Sequence, residues 1–243
     1  MSSPVRVAMW SGPRNISTAL MRSWENREDT TVSDEPFYGA YLKETGLDHP
    51  GRDEIVEVME SDWENVVKFI TGPIPDSKTI WYQKQMAHHM LADWSLDWLE
   101  KVTNCFLIRD PKEVILSYSK KFEIRSLDLL GYRRQAEIFD LVKEITGEIP
   151  IVLDAKDVLS NPEGILKKMC NKLRIPFSGR MLSWLKGKRD SDGVWGKYWY
   201  QSVENSTGFK PYMPNDEPLP ENLIPVYNQC KPDYKKLYRF RLI

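Results

Sequence analysis

Four short stretches carry the residues able to do chemistry. "SGPRNIST" (11–18) offers Arg14, Asn15, Ser17 and Thr18, and "SDEP" (33–36) offers Glu35 beside a proline. "QKQMAHH" (83–89) offers Lys84, His88 and His89, and "RDPKEVILS" (109–117) offers Arg109 and Ser117 eight residues apart. Glycine, proline, arginine and hydroxyl residues at a strand-to-helix turn suit an anion: backbone N–H groups of a starting helix point at it, the helix dipole favours it, and a guanidinium adds charge-assisted bonds. The competing use of such a turn is structural, with Gly12 and Pro13 shaping it and Ser17 or Thr18 capping a helix. Arg109 and Ser117 fit the same chemistry, since Pro111 suits a first helical turn and a short helix brings both side chains to one anion; a strand-end arginine in a surface ion pair is the plainer alternative.

The elements that must position these residues follow from apolar patterning. "VRVAMW" (5–10), "TTVS" (30–33), "TIWY" (79–82), "CFLIR" (105–109) and "IPIVLD" (149–154) are short apolar runs of the kind that form buried parallel strands. Between them Ile55, Met59, Trp63, Val66, Val67 and Ile70 recur at helical spacing across a break at Ser61 and Asp62, and Ile138, Leu141, Val142 and Ile145 do the same. Asn161 and Pro162 cap a further helix whose face is Ile165, Leu166, Met169 and Leu173, with Pro176 beyond it. Strand and helix alternating in this way predict an α/β fold: doubly wound, with a mainly parallel central sheet, helices on both faces and a P-loop-like first turn. Residues 186–243 are expected as a loop-rich segment, dense in Gly, Pro, Trp and Tyr through residue 222, packed over the carboxyl edge of the sheet in a single domain spanning 1–243.

Composition narrows the function classes. The formal net charge is −1 from 34 basic and 35 acidic residues, so no global field draws the chain to nucleic acid or an anionic membrane, and any anion site is local. Three separated cysteines support neither a disulfide framework nor a zinc cluster, and no metal-ligand cluster is evident. With no long apolar stretch and no leader-like start, the expectation is a soluble cytoplasmic protein.

These stretches together resemble the sulfotransferases that use 3′-phosphoadenylyl sulfate. "PRNIST" is similar to that family's P-K-S-G-T-T-like loop around the 5′-phosphosulfate, and "RDPKEVILS" matches its R-[DN]-P-x-[DE]-V-x-x-S segment for the 3′-phosphate. "VLDAKDVLSNPEGILKKMCNKLRIPFS" is similar to its strand, acidic turn, capped helix and L-x-I-P-F ending, and "KRDSDGVW" (188–195) to its R-K-G-x-x-G-D-W segment. The resemblance implies that Arg14, Asn15, Ser17 and Thr18 hold the 5′-phosphosulfate, and that Arg109, Ser117, Lys188, Arg189 and Trp195 serve the 3′-phosphate end. It implies transfer of a sulfuryl group to a hydroxyl or amine of a small molecule, adenosine 3′,5′-bisphosphate as product, and no required metal. Lys84 matches the lysine of the family's K-x-H strand end, beside the leaving oxygen, while the histidine position holds Met86 and the histidines fall at 88 and 89, expected in the next helix.

The base is therefore open between His88, His89 and Glu35, the last standing where some branches carry an E-P pair. Histidine suits base work near neutral pH, and a carboxylate does so once partly desolvated, which Pro36, Phe37 and Tyr38 would accomplish. Ile16 replaces the loop glycine; a β-branched residue tolerates positive φ poorly, so a different loop backbone is expected there. Trp10, Trp24, Trp195 and Trp199 are candidates for stacking on adenine, with only Trp195 in a motif position. Two other functions are carried forward: a kinase using ATP and magnesium, disfavoured because Ser17 and Thr18 stand where a Walker loop has Gly and Lys, and a nucleotide-binding module without catalysis. The acceptor pocket is expected from 36–75, 85–95 and 120–135.

Overall fold

The computed structural model describes residues 4–243. Five strands, β1 (Val5–Ser11), β2 (Thr30–Asp34), β3 (Ile80–Met86), β4 (Thr103–Ile108) and β5 (Ile151–Asp154), form one all-parallel sheet in the order β2-β3-β1-β4-β5. All five apolar runs are thus strands, and β3 continues to Met86, buried at every position, so that Lys84 lies within it. Parallel sheets have both faces covered, which is why these runs are mostly apolar, the edge strand β2 being the polar exception.

The faces separate by alternation. Val7 and Met9 of β1, with Cys105 and Leu107 of β4, point into a core shared with α1 (Ser17–Glu25). Ala8, Trp10, Phe106 and Ile108 point into the opposite core, with α2 (Tyr38–Thr45), α3 (Arg52–Val58) and α4 (Trp63–Thr71). Asp62 caps α4 by accepting from the N–H groups of Glu64 and Asn65, which accounts for the break in the helical pattern.

Four helices follow β4 and β5 along the chain. Pro111 opens α5 (Pro111–Ser119) and Asp110 accepts from Lys112 N, while α6 (Tyr132–Thr146) buries Ile138 and Val142 and leaves Ile145 39% exposed. Asp154 caps α7 (Ala155–Ser160) and Asn161 caps α8 (Pro162–Lys172), as the N-P pair predicts. After two short turns, α9 (Gly196–Trp199) and α10 (Gln201–Glu204), the chain forms a fifteen-residue helix, α11 (Ile224–Tyr238). This corrects the expectation of a loop-rich terminus: α11 packs on α5 and α6, burying Cys230 and Leu237, and Pro225 in its first turn fits helix geometry. Among the described residues no helix is long and apolar enough to cross a membrane.

In this strand order β1 lies between β3 and β4, so the chain leaves it in one direction through β2 and β3 and returns on the other side through β4. The carboxyl ends of β1, β3 and β4 therefore border the crevice where open α/β sheets take ligands.

Candidate active site

A cavity of about 410 Å³ opens at that crevice. Arg14, Asn15, Ser17, Thr18, Glu35, Lys84, His88, His89, Arg109, Ser117 and Trp195 all line it, so nearly every candidate from the sequence converges there.

Its first wall is the turn after β1. The position before α1 is Ile16, which has no side-chain acceptor, so neither Ser17 nor Thr18 acts as a cap. The N–H groups of Ser17, Thr18 and Ala19 have no partner among the described residues, and these three residues line the cavity. Helix termini leave such donors for side chains, water or ligands, and at this end the dipole favours an anion. The turn is tightly held: a Cβ on Gly12 would meet the carbonyl oxygen of Leu130 at 2.4 Å. Arg14 and Ile16 both take left-handed backbone conformations, with φ of 62° and 59°. Ile16 thus adopts the positive φ that its β-branching was expected to prevent; its side chain packs against the core under α1, and that packing offsets the cost.

Arg14 and Arg109 join the two sequence stretches. Arg14 Nε donates to Ser117 Oγ at 3.0 Å, and Arg109 donates to the Arg14 carbonyl at 2.8 Å. Arg109 is also paired with Glu113 at 2.8 Å, and Tyr132 donates to its carbonyl at 2.9 Å. Arg14 has no carboxylate partner among the described residues, and burial together with the neighbouring Arg109 lowers its pKa. Two guanidiniums drawn together at a free helix N-terminus form a strongly electropositive corner. Lys210, exposed and lining the same cavity, adds a further cation that no motif indicated.

The floor is a buried ion cluster set by sheet register. Asp34 and Lys84 are register partners at the carboxyl ends of β2 and β3, and Lys84 Nζ contacts Asp34 Oδ1 at 2.9 Å and Glu35 Oε1 at 2.5 Å. Tyr200 completes the cluster: Lys84 donates to its hydroxyl at 2.6 Å, it donates to Asp34 Oδ2 at 2.6 Å, and Trp195 Nε1 reaches it at 3.0 Å. Burial disfavours the charged lysine, but the carboxylates of Asp34 and Glu35 overcome this and hold Lys84 firmly protonated. Burial raises the Glu35 carboxyl above its ordinary range, opposed by Lys84 and reinforced by Asp34. Glu35 itself sits at φ 46°. Asp34 and Tyr200 were missed by sequence reading: the first acts through register, and the second comes from a segment without periodicity.

Beyond the floor the cavity is aromatic. Tyr38, Tyr41, His49, His88, His89, Tyr118 and Trp199 line it, with Leu47, Met86 and Leu129. His88 and His89 lie in a single 3-10 turn (Ala87–His89) rather than a following helix. Burial pushes His88 down to about 3 and His89 well below its usual value, and lowers His49; it raises Tyr38, Tyr41 and Tyr118. These walls are uncharged at neutral pH. The stretches 36–75, 85–95 and 120–135 do supply this end, joined by Tyr118, Trp195 and Trp199.

Two groups of candidates lie away from the cavity. Lys188 and Arg189 do not line the cavity: Arg189 donates to Leu185 O and pairs with Glu25 at the far end of α1, where Arg22 holds Asp192 at 2.6 Å. Their segment is anchored by ion pairs, and only Trp195 reaches the site from it. Trp10 and Trp24 are fully buried core residues, Trp10 donating to Asn104 and Trp24 stacked on Tyr82, so neither faces a ligand.

A family model described as a sulfotransferase domain matches residues 5–232. Two curated relatives from Arabidopsis thaliana, branched-chain-amino-acid aminotransferase-like proteins 1 and 2, are 38% and 34% identical over 237 and 229 residues, each match covering 94% of this chain. The chain spans about two fifths of their length, 42% and 40%. Among solved structures, the sulfotransferase domain of the curacin biosynthetic pathway aligns with TM-score 0.54 at 14% identity, covering 95% of this chain and 99% of that one. The sulfotransferase domain of the Synechococcus PCC 7002 olefin synthase aligns with TM-score 0.55 at 16% identity, covering 94% and 95%. A sulfotransferase from Alicyclobacillus acidocaldarius aligns with TM-score 0.52 at 11% identity, covering 100% and 98%. At these identities the likeness concerns the fold.

Proposed function

The chain belongs to the sulfotransferase domain family, and on that premise we propose that it moves a sulfuryl group from 3′-phosphoadenylyl sulfate to a hydroxyl or amine of a small molecule. The observation that carries this reading is the meeting of Arg14 and Arg109 at the uncapped start of α1. Two cationic side chains, one without a carboxylate partner, and a row of free N–H groups fit a ligand with more than one anionic group. The buried Asn15 Oδ1, without a partner in the cavity wall, is a further polar group available to it.

Arg14, Asn15, Ser17 and Thr18 would hold the 5′-phosphosulfate, and Arg109 and Ser117 the 3′-phosphate, with Lys210 rather than Lys188 or Arg189 as the additional cation. When bound, the donor supplies an activated sulfuryl group on a phosphate oxygen. Lys84, held protonated between Asp34 and Glu35, is the cation available to offset charge developing on the leaving oxygen. Glu35 is the base in this reading, supported by its place in the cavity lining and by burial that raises its carboxyl. His88 lines the same wall, but burial to a pKa of about 3 suits it poorly to accepting a proton at neutral pH. Trp195 lines the cavity and donates to the Tyr200 hydroxyl. All three cysteines are buried and free, which supports a cytoplasmic location.

Transfer of radiolabelled sulfuryl groups from the donor to a panel of alcohols, phenols and amines tests this reading. Turnover is expected in the wild type and lost in Glu35→Gln, which keeps the shape of the side chain. Turnover that needs ATP and magnesium instead would sink it.

A further inference from the structure

Glu35 has one oxygen committed to Lys84 and one free. Oε2 points to the turn after β3, where Nδ1 of His89 lies 3.9 Å away. His89 is 2% exposed, and this nitrogen is buried without a hydrogen-bond partner among the described residues. Leaving a polar group unmet in the interior is costly, so a ring held in this way calls for an explanation.

The ring is also fixed in plane and direction. Tyr38 stacks on it with centroids 4.5 Å apart and an interplanar angle of 11°, and Tyr41 stacks with 4.8 Å and 24°. His88 meets it edge-on at 4.4 Å. A side chain sandwiched between two tyrosines aims one nitrogen at a carboxylate whose other oxygen is already bound. Catalytic hydrogen bonds are often long before substrate arrives and tighten in the complex.

We propose that His89 is a positioning residue for Glu35: its Nδ1–H closes on Oε2 in the working complex and fixes the carboxylate toward the acceptor hydroxyl. The proposal rests on Glu35 being the base. In the step it serves, the acceptor oxygen bonds to the sulfuryl sulfur while its O–H bond breaks, the proton goes to the Glu35 carboxylate, and the bond from sulfur to the donor's 5′-phosphate oxygen breaks, with adenosine 3′,5′-bisphosphate leaving. Burial keeps the imidazole neutral, with His88, His49 and Lys84 disfavouring its charged form, so it orients the carboxylate without competing for the proton. The groups facing Glu35 are Asp34 from β2, Lys84 from β3, Tyr200 from the segment after α9, and His89. Those facing His89 are Glu35, Tyr38, Tyr41, His88, His49 and Lys84.

The test compares His89→Asn, whose side-chain amide places a donor near the Nδ1 position, with His89→Leu, which has the same branching and no donor. The Asn variant should keep kcat within about tenfold of wild type, and the Leu variant should lose about 10²-fold, the scale of a misplaced reacting group. Affinity for adenosine 3′,5′-bisphosphate should be unchanged in both. The acid limb of the pH–rate profile should move up in the Leu variant, because a carboxylate that loses a donor is harder to ionise. Equal loss in both variants overturns the proposal, as does wild-type kcat with an unmoved acid limb in the Leu variant. Glu35→Gln separates the two readings: if it retains turnover, the base assignment itself fails, whatever the His89 variants do.

Discussion

Arg14 Nε lies 3.0 Å from Ser117 Oγ, so the turn after β1 and the helix after β4, 103 residues apart in sequence, share a hydrogen bond at the mouth of the cavity. That contact makes one site of the two sequence stretches. Arg14→Ala should weaken adenosine 3′,5′-bisphosphate binding by about 10–100-fold, the range of a lost charged hydrogen bond. Arg14→Lys should recover only part of this, since a point cation cannot reproduce the planar fork. Calorimetric titration checks both, and an unchanged dissociation constant in Arg14→Ala would remove Arg14 from the site.

Ile16 stands at the start of α1 in a left-handed conformation, which favours a residue without a Cβ. Gly is already preferred to Ala at the position before a helix, and at φ 59° a Cβ adds strain that Gly escapes. Ile16→Gly should therefore be more stable than Ile16→Ala by about 1 kcal/mol in urea unfolding. Ala proving the more stable of the two would mean the turn relaxes out of the left-handed region.

Tyr200 holds Lys84, Asp34 and Trp195 through one hydroxyl. Tyr200→Phe keeps the ring and leaves these buried groups short of a partner, so the variant should lose about 1–3 kcal/mol in chemical denaturation. Its kcat should fall as well, because Lys84 and Glu35 are held by the same cluster. A variant as stable and active as wild type would show that the cluster does not depend on this hydroxyl.

Stability should respond to pH on two sides. His88 has its pKa depressed from 6.5 to about 3 by burial, so the folded state binds fewer protons than the unfolded one in that window. Its stabilising contribution is complete above pH 6.5 and is lost as pH falls toward 3. Asp154 runs the other way: burial raises it from 3.8 to about 6, so its contribution is present below pH 3.8 and lost as pH rises through 6. Melting curves across pH 3–8 should show a shallower acid limb in His88→Asn and a smaller decline from pH 4 to 7 in Asp154→Asn. Unchanged limbs would mean that neither group carries the linkage.

Much of this site is legible in the chain, and the parts that are not have physical reasons. Four of the five strands are mostly apolar because both sheet faces are covered, and the edge strand β2 is the polar exception. Arg14, Glu35, Lys84 and Arg109 are legible because they sit at or beside strand ends, where topology brings ligand groups together whatever the packing elsewhere. Nothing local sets Asp34 apart, because its partnership with Lys84 exists only through the β2–β3 register. Tyr200 lies in a segment with no periodicity, and nothing local distinguishes it from Tyr198 two residues away. Lys188 and Arg189 carry the right charges in a motif-like run, but charge alone does not separate a ligand contact from an ion pair, and Glu25 captures Arg189. Trp10 and Trp24 share their residue type with Trp195; burial, not type, divides them.

The central claim is that the corner formed by Arg14, Arg109 and the start of α1 binds a nucleotide carrying phosphates at both its 3′ and 5′ positions. Isothermal titration of wild type and Arg109→Ala with adenosine 3′,5′-bisphosphate, AMP, and ADP plus magnesium tests it most directly. The account predicts that wild type binds the bisphosphate at least about tenfold more tightly than AMP or magnesium-ADP, as an added charged contact would give, and that Arg109→Ala loses this preference. Equal affinity for all three nucleotides in the wild type, or a preference that survives in Arg109→Ala, would contradict it.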